Sequence, residues 1–151
     1  MKRMIVNKYG GPENLILDHI DSLLINDLSV RIKVENIGVN FADTLVIRGR
    51  YQERPRPPFS PGLELSGTII EIGKKVLNHK TGDRVIGIAK FGAYCNEIVM
   101  PAENVYKIPD SMDFVSAASF PVAYGTAFGA IDWKGNLQKG QTCLVIGAAG
   151  G

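Results

Sequence analysis

The chain has 151 residues, of which 45% are hydrophobic and 21% are charged, and its formal net charge is +2. These values are typical of one globular domain, or of one domain with part of a second. So small a charge gives no reason to expect nucleic acid or a membrane surface as a partner, and no apolar run approaches the ~20 residues of a membrane span. We therefore expect a cytoplasmic protein that binds neither nucleic acid nor a membrane.

The first hundred residues have the pattern of short strands separated by turns. Val30, Ile32 and Val34 alternate with charged residues, which is the period-2 signal of a half-buried strand. Further strands are predicted at 65–73, 83–88, 93–100 and 105–108. Many short strands with regular turns indicate a partly open β-barrel.

Between the first and second of these strands the pattern changes. A short helix is predicted over Phe41 to Ile47, followed by an irregular loop from Gly49 to Pro61 that holds four prolines. A loop of this length in a compact domain is usually functional or disordered. The prolines stiffen it, which favours a functional loop.

The sequence pattern changes from strand-like to helix-like after Pro109. Asp110 or Ser111 is the predicted cap of a helix, a second helix is predicted at about 122–133, and an apolar strand is predicted over Thr142 to Ile146. A strand that leads into a glycine-rich turn is how a dinucleotide-binding βαβ unit begins, although an ordinary glycine turn has the same pattern. We expect a catalytic domain at 1–121 and the start of a dinucleotide-binding domain at 122–151, so that the chain is the first part of a larger enzyme.

The cysteines and histidines give no sign of a metal site or a disulfide. Cys95 and Cys143 are far apart and lie in apolar runs, so we expect two buried, reduced thiols. His19 and His79 lie among polar residues without metal-ligand spacing, so we expect both at the surface.

Several separated motifs then occur in a recognisable order. They are Gly38-Val39-Asn40-Phe41-Ala42-Asp43, Gly49-Arg50-Tyr51, Pro58 to Gly67, Gly82-Asp83-Arg84-Val85, Gly92-Ala93-Tyr94, Gly125-Thr126-Ala127 and the Gly147–Gly151 turn. Together they resemble the medium-chain dehydrogenase/reductase superfamily, and most of all its zinc-free quinone oxidoreductase branch, the zeta-crystallin-like proteins. The resemblance implies a mainly β fold with some α: a GroES-like, partly open barrel followed by the first helix and strand of a truncated Rossmann domain.

The same resemblance argues against a metal. Asn40 and Leu63 stand where zinc-dependent members of the superfamily have a cysteine and a histidine ligand. Asparagine and leucine do not replace a thiolate and an imidazole on zinc. Asp43 and Glu64 remain, but carboxylates without those partners make a poor zinc site, so we expect no metal.

Without a metal, hydrogen-bond donors must stabilise the acceptor oxygen as charge develops on it. The resemblance implies this role for Asn40, through its amide, and for Tyr51, through a phenol that also supplies a proton. The alternatives are that Asn40 only caps a turn and that Tyr51 only packs on the prolines of its loop. Leu45 stands where some members have a second tyrosine.

The resemblance also implies NADPH as cofactor, bound by Asn40, Thr126 and the turn Gly147, Ala148, Ala149, Gly150 and Gly151. Thr126 has the alternative of bonding back to its own helix. Four arginines, Arg48, Arg50, Arg54 and Arg56, form a basic loop that is either a solvated surface or attracts phosphates of the cofactor or of an acyl-CoA.

The expected activity is NADPH-dependent, zinc-independent reduction of quinones or other α,β-unsaturated carbonyl compounds by a full-length homodimer. An enoyl-thioester reductase is a close alternative, in which Tyr51 is the implied proton donor. A binding or structural protein with the same fold and no catalysis is the alternative from another class.

Overall fold

The computed structural model describes residues 1–148, and it is mainly β. Seven strands are present among these residues: β1 (Lys2–Val6), β2 (Leu15–His19), β3 (Ser29–Gly38), β4 (Glu64–Ile72), β5 (Arg84–Ile88), β6 (Glu97–Pro101) and β7 (Val105–Lys107). Three α-helices follow the strands or lie between them: α1 (Phe41–Ile47), α2 (Phe114–Ala118) and α3 (Phe120–Phe128), the last continued by a π-helical turn at Gly129–Lys134. The fold class expected from sequence is confirmed.

The strands form two antiparallel sheets. A five-stranded sheet has the order β6-β3-β4-β5-β7, and β1 pairs with β2. Isolated bridges connect Arg3 to Cys95 and Val6 to Phe59, which attach the small sheet to the rest of the barrel. The long proline loop is thus tied back to β1 at its far end.

Two groups of buried side chains fill the barrel. The larger takes alternate residues of the central strands, among them Val30, Ile32, Leu65, Ile69 and Val85. This confirms the period-2 prediction for β3, because Val30 and Ile32 have no exposed surface. The smaller group, Val6, Val46, Ile47 and Phe59, lies under α1 and the proline loop.

The helix predicted at Phe41 to Ile47 has those bounds as α1. The cap predicted near residue 110 is wrong: α2 is capped by Asp113, whose carboxylate accepts from the Ser116 N–H at 2.8 Å. Asp113 has a lowered pKa because its carboxylate accepts from the backbone and hydroxyl of Ser116. The helix predicted at about 122–133 is present as α3 and the π-helical turn.

The strand predicted over Thr142 to Ile146 is not formed. These residues are exposed, and the structure assigns no ladder to them. An isolated extended segment is not a strand, since parallel strands need neighbours in a sheet, and none of residues 1–148 supplies one here. The division of the chain at residue 121 stays a prediction.

Two side-chain predictions need correction. His79 is buried rather than at the surface, 3.9 Å from the Asp83 carboxylate. Cys143 is exposed, because the strand that would bury it is not formed, whereas Cys95 is partly buried. Burial raises the pKa of the Cys95 thiol to about 11, so it is an unreactive thiol at neutral pH.

Candidate functional site

Asn40 is placed by the junction between β3 and α1. Its extended backbone is the N-cap of α1, and it forms a capping box with Asp43 in which the Asp43 carboxylate accepts from the Asn40 N–H at 2.8 Å. The side-chain amide nitrogen donates to Oε1 of Glu64 at 2.7 Å. Asn40 therefore does cap a helix, and its amide is held by a carboxylate as well.

Glu64 connects Asn40 to α3. Its side chain is 1% exposed, and its second oxygen, Oε2, accepts from the backbone N–H of Val122 at 2.8 Å. Val122 lies in the first turn of α3, where N–H groups lack partners inside the helix and a negative charge is favourable. One buried carboxylate thus bridges the starts of α1 and α3.

A cleft of about 650 Å³ opens between these two helix starts. Its walls come from residues 39–42 on one side and from α3 and the turn after it on the other, including Val122 and Thr126. Val122 and Thr126 are four residues apart, so they lie on the same face of α3. The structure therefore brings two of the predicted cofactor-binding residues, Asn40 and Thr126, to one cleft.

Tyr51 lies in a different pocket. It lines a space of about 220 Å³ together with Val46, Leu63, Lys90 and Phe91, and its ring packs beside the smaller core cluster. No residue lines both this pocket and the cleft: Asn40 and Ala42 line the cleft, and Val46, one turn further along α1, lines the pocket of Tyr51. Asn40 and Tyr51, expected from sequence to act on one oxygen, line neighbouring pockets in this chain.

Asp43 and Tyr94 form a buried polar pair behind α1. The Tyr94 hydroxyl donates to Oδ2 of Asp43 at 3.2 Å, while Oδ1 has no hydrogen-bond partner among the described residues. Burial raises the pKa of Asp43, against the hydrogen bonds from Asn40 and Tyr94 that lower it. Burial, and then the neighbouring carboxylate, raises the pKa of Tyr94. Asp43 thus supports α1 from beneath and does not face the cleft.

The glycine turn is only partly described. Gly147 has a φ of 77° and is exposed with Ala148, while the predicted contributors Ala149, Gly150 and Gly151 lie outside the described residues. A positive φ is the conformation that a glycine turn ahead of a phosphate-binding helix uses. The roles predicted for these five residues stay predictions.

The acidic and metal-ligating side chains do not form a metal site among the described residues. Within residues 1–148, no three His, Cys, Asp or Glu side chains come together in a group that could hold a metal ion. Oε1 of Glu64 already accepts a hydrogen bond from the Asn40 amide, so this oxygen is not free to bind a metal ion. The absence of a catalytic metal remains a prediction.

The barrel has counterparts among known proteins. Residues 26–110 match the alcohol dehydrogenase GroES-like domain. The chain belongs to that family. It is 41% identical over 150 residues to the quinone oxidoreductase-like protein 2 homolog of Nematostella vectensis, and 46% identical over 121 residues to quinone oxidoreductase-like protein 2 of Mus musculus. These matches cover 99% and 80% of this chain but 41% and 35% of the relatives, so the chain spans well under half of their length.

Solved structures agree with this assignment. Escherichia coli quinone oxidoreductase, complexed with NADPH, superposes with a TM-score of 0.80 and 26% identity, covering 89% of this chain and 41% of that one. The CurK enoyl reductase superposes with a TM-score of 0.84 and 25% identity, covering 93% and 45%. Membership of the medium-chain superfamily, in its quinone oxidoreductase-like part, is confirmed. No helix of residues 1–148 has the length and apolar character to cross a membrane.

The residue whose role was missed from sequence is Glu64. From sequence, Glu64 was considered only as a carboxylate next to Leu63, which stands at a zinc-ligand position of the zinc-dependent members. A glutamate flanked by apolar residues at the start of a buried strand is the signal that could have found it, because such a carboxylate needs donors from other elements.

Proposed function

We propose that the whole protein to which this chain belongs is an NADPH-dependent, zinc-independent reductase of quinones or other α,β-unsaturated carbonyl compounds. The observation that carries this proposal is the cleft between α1 and α3, where the Asn40 amide and the Thr126 hydroxyl are set among apolar residues. Polar groups of this kind in an apolar cleft suit a flat ring that bears an amide. The NADPH bound to the Escherichia coli relative supports the choice of cofactor.

Bound NADPH would supply a hydride. The chain's own part is to position the acceptor and to stabilise charge on its oxygen. One N–H of the Asn40 amide goes to Glu64, and the other is free to donate toward the cleft. Tyr51 has a phenol that can donate or supply a proton at the neighbouring pocket. For Tyr51 to act on the same acceptor, the acceptor must extend from the cleft into that pocket.

Turnover by the full-length protein tests the proposal. NADPH oxidation is measured with 1,4-benzoquinone and with crotonyl-CoA, for the wild type and for Tyr51→Phe, with NADPH affinity as the control. A donor to a developing oxyanion is worth about 3 kcal/mol, on the order of a hundredfold in rate. We expect a loss of roughly tenfold with the quinone, whose reduced form can take its proton from water. Unchanged turnover with both substrates would show that Tyr51 only packs and takes no part in the chemistry.

An enoyl-thioester reductase is the second candidate, and the likeness to the CurK enoyl reductase favours it. In that reaction a carbon must be protonated within the site, so removal of the Tyr51 hydroxyl has the larger effect. A loss confined to crotonyl-CoA would support this candidate over the quinone reductase. No oxidation of NADPH with either substrate would favour a binding protein without catalysis.

Two further properties belong to the same proposal. We propose that the full-length protein is a homodimer and that it carries no zinc, the second because Asn40 and Leu63 offer no ligand. Sedimentation tests the first. Elemental analysis of protein purified without added metal tests the second, and near-stoichiometric zinc that resists chelation would contradict it.

A further inference from the structure

The geometry points to Glu64 as a positioning residue that fixes the polarity of Asn40, so that Asn40 presents an N–H and not its oxygen to a ligand in the cleft. The inference deepens the proposed function and rests on it for the identity of the ligand. It names the atom that Asn40 recognises, which is the carbonyl-type oxygen of the acceptor.

The orientation of Asn40 follows from its partners. Glu64 is almost completely buried and receives two donors, Nδ2 of Asn40 on one oxygen and the Val122 N–H on the other. A carboxylate that accepts on both oxygens leaves the amide of Asn40 no choice of side: nitrogen faces Glu64, and the oxygen faces away. In the capping box the Asn40 side chain faces the first turn of α1, whose free N–H groups suit that oxygen. The second N–H of Nδ2 is then the group left for the cleft.

The same carboxylate sets the spacing of the cleft walls. Oε1 holds the residue that starts α1, and Oε2 holds the first turn of α3, which presents Thr126 one turn later. Burial removes competing water, so each of these charge-assisted hydrogen bonds is stronger than its surface counterpart. A change at Glu64 therefore alters two things together: the orientation of the Asn40 amide and the position of α3 relative to α1.

A pair of reciprocal variants in the full-length protein tests this. Asn40→Asp places two carboxylates against each other, and Glu64→Gln leaves either Asn40 or the Val122 N–H facing an amide N–H. Combined, the two changes restore both hydrogen bonds: the amide nitrogen introduced at position 64 donates to the carboxylate at position 40, which reverses that bond, and the amide oxygen still accepts from the Val122 N–H. We expect Asn40→Asp alone to weaken NADPH binding about tenfold, within the usual coupling between contacting residues, and to lower the unfolding midpoint most.

The double variant separates positioning from the donor itself. We expect it to recover the unfolding midpoint and most of the NADPH affinity, to within about threefold of Glu64→Gln, since contacting pairs are not additive. Its kcat should stay as low as that of Asn40→Asp, because the carboxylate it carries at position 40 cannot donate. Asn7→Asp, at an exposed position, is the matched control and should add to Glu64→Gln without rescue.

The outcomes are distinct. Additive losses of stability and affinity in the double variant would overturn the Glu64–Asn40 coupling. Recovery of kcat along with stability would overturn the donor role and leave Glu64 a purely structural bridge. If the wild type binds NADPH but reduces no acceptor, the proposed function fails, while the unfolding midpoints and NADPH affinities still decide the coupling.

Discussion

The close packing around Glu64 depends on a residue that has no side chain. Gly38 ends β3 directly beside the Glu64 carboxylate, and a Cβ at this position would lie 2.6 Å from the backbone oxygen of Ala118 as well as against Oε1 of Glu64. A backbone oxygen cannot move aside as a flexible side chain can. Gly38 is thus required by space and not by an unusual backbone conformation.

Gly38→Ala should lower the stability of the protein by about 1–3 kcal/mol, the usual range for overpacking a filled interior. The measurement is the urea unfolding midpoint of the full-length protein. Gly11→Ala is the matched control, because its Cβ would meet only the exposed carboxylate of Glu13, which can move. Equal midpoints for the two variants would show that the contact between β3, β4 and α2 is looser than the distances imply.

Asp43 makes a prediction about pH. Its pKa is raised by burial above the ordinary value of 3.8. A carboxyl whose pKa is higher in the folded than in the unfolded protein stabilises fully below the unfolded pKa, and that contribution is lost as pH rises through the folded pKa. Ionisation of Asp43 therefore lowers the free energy of unfolding, and this destabilisation grows as the pH increases from about 4 toward neutrality.

Asp43→Asn removes this titration. The difference in urea unfolding midpoint, variant minus wild type, should move in favour of the variant between about pH 4 and pH 7. Asp113→Asn is a useful comparison, because the pKa of Asp113 is lowered and its contribution is instead lost as pH falls. A difference for Asp43→Asn that is flat with pH, or that moves the other way, would contradict the raised pKa.

At the scale of elements, Arg84 of β5 holds the segment that leads into α2. Its guanidinium donates to the carbonyl oxygens of Pro109, Asp110 and Met112, and it stacks 4.6 Å from the centre of the Phe114 ring. A planar fork with five donors is suited to several carbonyls and one aromatic face at once. The start of α2 is therefore anchored by a side chain from a different strand.

Arg84→Lys should lower stability by about 1–2 kcal/mol although the charge is kept, since an ammonium cannot bond to three carbonyls and stack as well. Amide hydrogen exchange should quicken in residues 109–118 and stay unchanged in β3 and β4. Arg31→Lys, which loses a guanidinium fork on the outer side of β3, is the control for a general effect of arginine removal. Faster exchange everywhere would mean that Arg84 stabilises the barrel as a whole.

Elements with a local signal were predictable, and those that depend on distant partners were not. The alternation of Val30 and Ile32 and the bounds of α1 are encoded within a few residues, so sequence alone predicts both. His79 is buried among residues that are polar in sequence, because burial is decided by what packs over a loop. Thr142–Ile146 has the composition of a buried strand, yet composition forms no ladder without a neighbouring strand.

The candidate site shows the same division. Asn40 and Thr126, which the resemblance gives as cofactor-binding residues, line one cleft, Asn40 from the start of α1 and Thr126 from near the end of α3. The role of Glu64 requires knowing that β4, α1 and α3 meet at one point, and no local pattern contains that. That Tyr51 and Asn40 line different pockets is likewise a property of packing.

At the scale of the whole molecule, the described residues form one wall of the cofactor site that we propose. In that proposal, Asn40, Val122 and Thr126, which line the cleft, face the ring end of a dinucleotide. The turn at Gly147 is exposed, and a Cβ there would meet nothing within 4 Å. Diphosphates are bound mainly by backbone N–H groups at a helix N-terminus, and none of residues 1–148 provides that anchor next to the glycine turn.

We therefore expect the 151-residue chain, produced by itself, to fold as the barrel but to bind NADPH at least about a hundredfold more weakly than the full-length protein, a difference of roughly 2.7 kcal/mol. The barrel supports this expectation because its core takes side chains from β3, β4, β5, β6 and β7 and needs nothing from α3. Calorimetric titration of both proteins measures the affinities, and slow amide exchange in β3 and β4 verifies that the short chain is folded. A folded short chain that binds NADPH as tightly as the full-length protein would show that the cleft between α1 and α3, and not the diphosphate turn, supplies most of the binding free energy.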